Sequence, residues 1–446
     1  MRPLDALFEF LSIPSVSTDP AHKEDVRRAA FWLKGRLEAL GFQVEVAETP
    51  GHPVVFAEKR VSAQAPTLLI YGHYDVQPPE PLELWETPPF APTLKEGRIY
   101  ARGASDDKGQ IYAHIAAVEA LGEALGVNVK FLIEGEEEIG SPHLPDFVRE
   151  NRDRLEADVI LVSDGAMFAP KTPTLTYGLR GLVYLEVLLE GAARDLHSGV
   201  YGGAAPNPLQ ALGWMVAQLK GEDHRVRIPG FYDRVRPVSE EEKALWPRVD
   251  EEAFKQSIGL QALWGEAEHS LLERLWSRPT LDLNGVYGGF QGKGSKTVIP
   301  AQAGFKFSMR LVPDQDPHEI AALAEAYLKA IAPPGIRVRV VRHGLGRPVL
   351  TDPQSPLMRL AAEALEEVWG RRPVYTREGG SIPIVADLVE VLKAPVVLMG
   401  FGLHDDNLHA PNEKLDLLNF EKGIEASQAF LKRLRQAGLK GLSRPA

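Results

Sequence analysis

The most informative absence is that of cysteine, because the chain contains none. Disulfide bonds, metal sites built from thiolates and cysteine nucleophiles are therefore excluded. The sequence also lacks the G-x-S-x-G motif of serine hydrolases and the H-E-x-x-H motif of zinc proteases. Any hydrolytic activity must then rest on a different arrangement of side chains.

Strong positive charge and long apolar runs are absent too. The formal net charge is −11, which disfavours a surface for nucleic acid or anionic membranes. The longest apolar run, residues 394–403, is about half of the roughly 20 residues that a membrane helix needs. Asp5 and Glu9 interrupt the first segment, unlike the apolar stretch of a signal peptide. We expect a soluble, cytoplasmic protein with neither a nucleic-acid nor a membrane partner.

The first third of the chain alternates helical and strand patterns. Apolar residues recur at helical spacing over residues 26–40 and 109–121, and short apolar runs occupy residues 67–71, 127–133 and 159–163. Strands separated by helices predict an α/β fold with a mostly parallel sheet flanked by helices. With 446 residues, the chain is long enough for two or three domains.

The middle of the chain has a pattern typical of a small α+β domain with an antiparallel sheet. The predicted strands are 181–189, 304–312 and 337–342, and the predicted helices are 208–220 and 317–331. Residues 222–279, rich in charge and tryptophan, are interpreted as an insertion of irregular and helical segments. We predict that residues 1–179 and 346–446 form one domain, interrupted by a second domain of residues 180–345.

Acidic and histidine side chains directly follow three of the predicted strands. His73 and Asp75 come after the first strand, Glu136, Glu137 and Glu138 after the second, and Asp164 ends the third. Ligands bind at the carboxyl ends of strands in such sheets, so we expect these side chains to meet. Three adjacent carboxylates repel one another unless a cation neutralises them. A solvated acidic turn is the alternative interpretation.

Further candidate ligands lie in the segments ARGASDDKG and NLHAPNE. Asp106 and Asp107 begin a predicted helix, where capping of the helix is the alternative role. His409 is the candidate in the second segment, and His404 is its rival. With the acids at the strand ends, they predict a site for two metal ions, which needs one shared carboxylate and about two further ligands per ion. Imidazole and carboxylate ligands without thiolate suit Zn, Mn or Co.

Seven segments of the sequence, taken together and in order, resemble the M20 family of metallopeptidases. They are GHYDVQP, ARGASDDKG, EGEEEIGS, DLHSGVYGG, SMRLVPD, REGGSIP and HAPNE. The dipeptidase and carnosinase-like branch is more similar than the acetylornithine or succinyl-diaminopimelate deacylases. The resemblance implies a catalytic α/β domain, residues 1–179 and 346–446, interrupted by a lid domain, residues 180–345. Members commonly dimerise through that lid, so we expect a homodimer.

The resemblance implies two divalent metal ions per subunit, with Zn expected and Mn or Co as alternatives. The implied ligands are Asp106 as the bridge, His73 and Asp164 on one ion, and Glu138 and His409 on the other. The segment HAPNE favours His409 over His404, because an Asn-Glu pair follows at the family's spacing. A cis peptide bond often follows the bridging aspartate in this family.

The implied catalytic residues are Glu137 and Asp75. Glu137 would be the general base for the water that bridges the two ions, and Asp75 would hold and tune the imidazole of His73. The run of three glutamates leaves the register open. Alignment on the Gly-Ser pair that follows makes Glu137 the base, whereas a slip of one residue would choose Glu136.

The resemblance implies a peptidase that cleaves the amide bond of dipeptides or short peptides with a free C-terminal carboxylate. Arg310 would anchor that carboxylate, and its place in the alternating segment FKFSMRL puts it on the polar face of a strand. Thr297, Gly380 and Ser381 would add hydrogen bonds near the same end. His197 would reach the partner subunit's active site and stabilise the oxygen that becomes negative.

Two other functions remain open on the sequence alone. An N-acyl-amino-acid deacylase of the same family would perform the same amide hydrolysis with a different pocket. A non-catalytic binding protein on the same fold is a more remote alternative, because such descendants usually lose ligands or the base. Every implied role is filled in this chain.

Overall fold

The computed structural model describes residues 2–380 and 382–442. The chain divides into two compact units. The first unit contains the chain up to Tyr177, the segment Thr351–Thr376 and the chain from Ile384 onward, and the second contains Gly178–Leu350 and Arg377–Pro383. Within the described residues, no helix has the length and apolarity needed to cross a membrane.

Helices account for much of both units. In chain order they are α1 Pro3–Leu11, α2 Lys23–Ala39, α3 Lys108–Leu121, α4 Leu144–Glu150, α5 Arg152–Leu155, α6 Ser198–Tyr201, α7 Pro208–Leu219, α8 Glu240–Lys243, α9 Glu251–Ser257, α10 Pro317–Ala330, α11 Pro356–Trp369, α12 Pro383–Leu392 and α13 Leu417–Leu442. Helix α13 is broken at Gly438, whose backbone is not helical. The helices predicted from apolar periodicity, α2, α3, α7 and α10, are confirmed.

The strands are mostly short. In chain order they are β1 Gln43–Ala47, β2 Val54–Lys59, β3 Thr67–His73, β4 Thr93–Lys95, β5 Arg98–Tyr100, β6 Asn128–Glu134, β7 Val159–Val162, β8 Thr174–Leu179, β9 Gly181–Glu190, β10 Leu196–His197, β11 Thr280–Gly288, β12 Val298–Ile299, β13 Gln302–Leu311, β14 Arg337–Gly346, β15 Val349–Leu350, β16 Val374–Glu378, β17 Val396–Leu398 and β18 Lys414–Asp416.

The first unit is built on a sheet whose strands lie in the order β1-β2-β6-β3-β7-β17-β8. Strands β6, β3, β7 and β17 are parallel, whereas β1 and β2 join antiparallel at one edge. The central strands are buried over almost their whole length, as expected for strands covered by helices on both faces. The predicted mostly parallel α/β sheet is confirmed. Because β6, β3 and β7 are neighbours, their carboxyl ends lie side by side.

Helix α3 brings a fourth segment to this edge of the sheet. Nearly every side chain of α3 is buried, including the polar residues Lys108, Gln110 and His114. The helix packs against β3, α1 and α13. Since it begins at Lys108, the residues just before it, Asp106 and Asp107, are held at its N-terminus.

The second unit contains an antiparallel sheet in the order β11-β13-β9-β14. Helices α7 and α10 cover one face with a buried apolar core. On β13, Phe305, Phe307 and Met309 belong to this core, while Ser308 and Arg310 alternate with them. The predicted α+β character is confirmed. Residues 222–279 contain the two short helices α8 and α9 and a turn of π-helix, Glu273–Ser277. That they form an insertion stays a prediction.

Candidate metal site

The carboxylate of Asp106 is shared by two histidines that come from distant parts of the sequence. Its Oδ1 atom lies 3.1 Å from Nε2 of His73, and its Oδ2 atom lies 2.9 Å from Nε2 of His409. The peptide bond between Asp106 and Asp107 is cis. One carboxylate with an imidazole at each oxygen is the arrangement that a bridging ligand requires.

Two groups of potential ligand atoms meet at Asp106. The first contains His73, Asp106 and Asp164, and the second contains Asp106, Glu138 and His409. Within each group, one ligand atom per residue lies within 4.8 Å of the others. The structure thus brings together all five side chains that the sequence predicts as ligands. His404 is exposed and belongs to neither group among the described residues.

The three consecutive glutamates point to different partners. The carboxylate of Glu136 accepts a hydrogen bond from the backbone N–H of His52 at 3.0 Å and lies 2.9 Å from Nδ1 of His143. Glu138 Oε2 lies 3.3 Å from Nε2 of His409, and Glu137 Oε2 lies 3.9 Å from Nε2 of His73. Glu136 is therefore held by structural contacts, whereas Glu137 and Glu138 face the two histidines of the site.

Asp75 connects a histidine to both of these glutamates. Its carboxylate accepts the backbone N–H groups of Glu137 and Glu138 at 3.2 and 3.1 Å. The Nδ1 atom of His73 lies 3.0 Å from the backbone oxygen of Asp75 and 3.4 Å from its carboxylate. These acceptors favour a proton on Nδ1, which leaves the Nε2 lone pair directed at the ligand group.

Asp107 does not cap helix α3 through its side chain. Its Oδ2 atom instead accepts the backbone N–H of His73 at 3.2 Å. The capping alternative for Asp107 is therefore wrong, because this buried carboxylate fixes the end of β3.

Burial shifts the protonation of the acids in this site. Burial raises the pKa of Glu138 and of Asp164 to about 8 each, and it raises the pKa of Glu137 above its usual value. Burial also opposes ionisation of Asp106, but the bonds from His409 and His73 outweigh it and hold the pKa of Asp106 well below its usual value. The bond to Asp106 raises the pKa of His409 to about 9.

This donor set fits two divalent cations. The five side chains offer only carboxylate and imidazole atoms, which suit Zn, Mn or Co. Burial disfavours the ionised forms of Glu138 and Asp164, and a divalent cation held there would favour those ionised forms again. The side chains therefore fit the metals that the sequence predicts.

A third acidic group lies in the second unit. Glu266, Glu268 and His269 also place ligand atoms within 4.8 Å of one another. The carboxylate of Glu266 is already paired with Arg278 and accepts the hydroxyl of Tyr232 at 2.8 Å. The guanidinium of Arg278 already neutralises the carboxylate of Glu266, which distinguishes this group from the site around Asp106.

His197 and Thr297 are brought together in the second unit. Strand β10 pairs with β12, so that His197 lies opposite Val298, and Ser198 donates its backbone N–H to the oxygen of Thr297. The exposed His197 accepts the backbone N–H of Gly199 at Nδ1, at 2.9 Å. A neutral ring that accepts at Nδ1 carries its proton at Nε2, which is then available as a donor.

Arg310 lies on β13 between Leu182 of β9 and Thr280 of β11. Its partial burial lowers the pKa of Arg310 below its usual value, although it stays charged at neutral pH. Gly380 is exposed, and an added side-chain carbon would meet no atom there. The remaining predicted substrate residue, Ser381, lies outside the described residues.

Two further side chains contact the site without having been predicted from the sequence. Gln77 donates a hydrogen bond to Oε2 of Glu138 at 2.8 Å. Glu413 accepts the backbone N–H of Asp106 at 3.0 Å. Both residues lie inside segments already singled out, GHYDVQP and HAPNE, but neither residue type by itself signals such a contact.

Known proteins are similar to this chain in sequence and in fold. The sequence model described as "Peptidase family M20/M25/M40" matches residues 69–433. The chain is 34% identical over 446 residues to Cys-Gly metallodipeptidase dug1 of Schizosaccharomyces pombe, covering 95% of this chain and 94% of that protein. It is 32% identical over 454 residues to Beta-Ala-His dipeptidase of Rattus norvegicus, covering 97% and 92%. The solved structure of an M20 family metallo-carboxypeptidase, Sso-CP2 from Sulfolobus solfataricus, superposes with a TM-score of 0.87 and 37% identity, covering 98% of this chain and 100% of that one.

Proposed function

Because the chain belongs to the M20 peptidase family and is a metallopeptidase of the dipeptidase type, we propose that it hydrolyses dipeptides or short peptides with a free C-terminal carboxylate. The proposal includes a binuclear metal site. The observation that carries it is the sharing of Asp106, whose two oxygens lie 3.1 and 2.9 Å from the Nε2 atoms of His73 and His409.

In this proposal each ion would be held by two side chains of its own and by one shared side chain. His73 and Asp164 hold one, Glu138 and His409 hold the other, and Asp106 serves both. When bound, the two ions supply Lewis acidity towards the substrate carbonyl and towards the water that attacks it. Zn is the expected metal, with Mn and Co as alternatives, because all three accept imidazole and carboxylate ligands.

Glu137 takes the proton of the attacking water and delivers it to the leaving amine. Two features support this role. Its carboxylate accepts no hydrogen bond from any described residue, so it is available to take a proton, and its backbone N–H is held by Asp75 at 3.2 Å. Burial raises the pKa of Glu137 towards the range in which a carboxylate exchanges protons at neutral pH.

Asp75 is the residue that holds the base and a ligand in register. It orients the His73 ring through Nδ1 and simultaneously anchors the backbone of Glu137 and Glu138. Asp75 therefore relates a metal ligand of each group to the general base, through its backbone oxygen on the side of His73 and through its carboxylate on the side of the two glutamates.

The substrate carboxylate is proposed to bind Arg310, with Thr297, Gly380 and Ser381 as neutral partners. The position of Arg310 on the face of β13 opposite the apolar core supports this role. A planar guanidinium binds a carboxylate with two parallel hydrogen bonds, which favours substrates with a free C-terminus.

We extend the proposal to a homodimer formed through the second unit and to a cytoplasmic location. Exposed apolar side chains in that unit support an interface between copies: Val200 is 70% exposed, Trp214 61% and Val286 58%. In such a dimer the Nε2–H group of His197 would donate to the oxygen that becomes negative in a partner's active site.

A substrate panel tests the function. Chelator-stripped enzyme is supplied with Zn, Mn or Co and offered Cys-Gly, β-Ala-His and other dipeptides beside N-acetylated amino acids. Turnover of the dipeptides with a restored metal supports the proposal. Preference for the acetylated amino acids would favour the deacylase instead, and protein that binds metal but hydrolyses neither class would favour the non-catalytic alternative.

A further inference from the structure

Glu413 is a fully buried carboxylate that belongs to neither group of metal ligands. Its two oxygens accept four hydrogen bonds, all from the segment that leads into helix α3. The donors are Nη1 of Arg102 at 2.8 Å and the backbone N–H groups of Gly103 at 2.9 Å, Ser105 at 3.0 Å and Asp106 at 3.0 Å. The side chain thus holds the backbone of the shared ligand.

Glu413 and His409 lie in the same loop, just before β18. The Nε2 atom of His409 lies 2.9 Å from Oδ2 of Asp106. The loop therefore meets Asp106 twice, once at its carboxylate through a ligand and once at its backbone through Glu413. Two ligands separated by 303 positions in the chain are held in register by one side chain.

A second carboxylate of this loop acts on the same segment. Asp406 accepts the hydroxyl of Ser105 at 2.8 Å and the backbone N–H of Leu403 at 2.7 Å. Lys414 donates to its other oxygen at 2.6 Å. The turn before α3 is consequently fixed through both its backbone and a side chain.

Burial of Glu413 and Arg102 is costly in itself. Both side chains are 1% exposed. Two charges that are removed from water lose their hydration, and their mutual attraction offsets this loss only when the geometry is good and additional hydrogen bonds are made. Arg102 has such bonds, because it also donates to the oxygen of Pro78 at 3.1 Å and lies over the ring of Trp85. An apolar pair would fill the space without this cost but would leave the backbone of Asp106 unattached.

We propose that Glu413 is a positioning residue that sets the affinity of the site for its metals, by holding the backbone of Asp106 in register with His409. This inference rests on the proposed binuclear site. Outer partners that orient ligands contribute a factor of roughly 10 to 100 in metal affinity. Glu413 acts through Asp106 and touches neither substrate nor metal.

Two substitutions of Glu413 distinguish the effect of its side-chain length from the effect of its negative charge. Glu413→Asp keeps the charge but is shorter by one methylene, so it no longer reaches the N–H groups of Ser105 and Asp106. Glu413→Gln keeps the length but sets an amide NH₂ group against donors. Asp158→Asn is the matched control, because Asp158 accepts the backbone N–H of Thr67 at 2.8 Å, at the opposite end of β3 from His73.

The measurement is the dissociation constant of Zn and of Mn, by competition with a chromophoric chelator, alongside elemental analysis. We expect both Glu413 variants to bind metal roughly 10- to 100-fold more weakly, and Asp158→Asn to bind like the native protein. Native-like metal affinity in the folded Glu413→Asp variant would overturn the inference. If the native protein does not bind two ions, the proposed binuclear site is contradicted, whatever the Glu413 variants do. Failure of the proposed function is therefore distinguishable from failure of this inference.

A variant at a different residue tests the inference if the Glu413 variants do not fold. Arg102→Lys keeps a positive charge but loses the guanidinium group, whose two nitrogens donate to Glu413 and to the backbone oxygen of Pro78 at the same time. If the Glu413 variants do not fold, weaker metal binding by folded Arg102→Lys supports the inference. Unchanged affinity in that variant contradicts it.

Discussion

The carboxylate of Glu136 is paired with the ring of His143, with 2.9 Å between Oε2 and Nδ1. This contact separates Glu136 from the two glutamates that follow it, although all three are adjacent in sequence. A side chain already engaged by His143 and by the backbone of His52 is poorly placed to act as a base or as a ligand. The contact supports the register in which Glu137 is the base and Glu138 the ligand.

Substitution of each glutamate tests this register. Glu137→Gln removes the proton acceptor, so we expect kcat to fall by a factor on the order of 10² to 10⁴ while two ions stay bound. Glu138→Gln should lose metal as well as activity. Glu136→Gln, the matched control, should retain metal and most activity. Kinetics combined with elemental analysis distinguish the three, and an inactive Glu136→Gln that keeps its metal would shift the register by one residue.

Removal of metal should abolish activity and lower the melting temperature. Ions that bind only the native state stabilise it in proportion to the logarithm of their concentration relative to the dissociation constant. We expect each added-back metal to raise the melting temperature of the stripped protein, and Asp106→Asn to lose most of this increase, since both groups share that carboxylate. Full activity after exhaustive chelation, verified by elemental analysis, would contradict the metal site.

Arg310→Ala should discriminate between substrates by their C-terminus. Loss of a charge-assisted pair with a desolvated partner costs about 2–5 kcal/mol, so kcat/KM for free dipeptides should fall strongly. The matching dipeptide amides should be poor substrates of the native enzyme and lose little more. Lys306→Ala, on the same face of β13, is the control. Equal losses on acids and amides would assign Arg310 a structural role.

His197 can be tested by mixing subunits. His197→Ala removes the hydrogen-bond donor, and Glu137→Gln removes the base, so each variant alone should be nearly inactive. Loss of the donor should raise the activation free energy by about 2.7–4 kcal/mol. In a hybrid dimer one active site would combine an intact base with an intact His197 from the partner. We expect partial recovery of activity on mixing. No recovery, despite subunit exchange demonstrated by mass, would exclude action across the dimer.

His114 should make the stability of the first unit depend on pH. Its ring lies between the hydroxyls of Ser163 and Ser427, at 2.8 and 2.9 Å, and burial lowers the pKa of His114 to about 3. The unfolded chain takes up this proton near pH 6.5 and the folded chain does not. The stabilisation is therefore complete above pH 6.5 and is lost as the pH falls towards 3.

The expected loss from this one histidine is about 2 kcal/mol between pH 8 and pH 5. His114→Gln, which cannot titrate, should show a correspondingly weaker decline in its free energy of unfolding over that range. Both proteins are measured in chelator, so that release of metal does not contribute. Identical pH dependence in the two proteins would contradict the buried neutral state of His114.

Much of this architecture was predictable because its signals are local. Apolar runs such as residues 67–71 and 127–133 fold as β3 and β6, since an entirely apolar strand is stable only inside a covered sheet. The acids and histidines that follow these runs then lie at one edge of the sheet. Residue types and spacing, together with the family resemblance, were sufficient to name His73 and Asp164 as candidates.

Only the tertiary structure decided which side chains meet. Asp106 and His409 are 303 positions apart, and no local pattern states that one loop presents both a ligand and Glu413 to the turn before α3. The same holds for the glutamates, because the direction of Glu136 depends on His52 and His143, which lie on other segments. Periodicity determines which face of an element is buried, whereas hydrogen-bond partners depend on how the elements pack together.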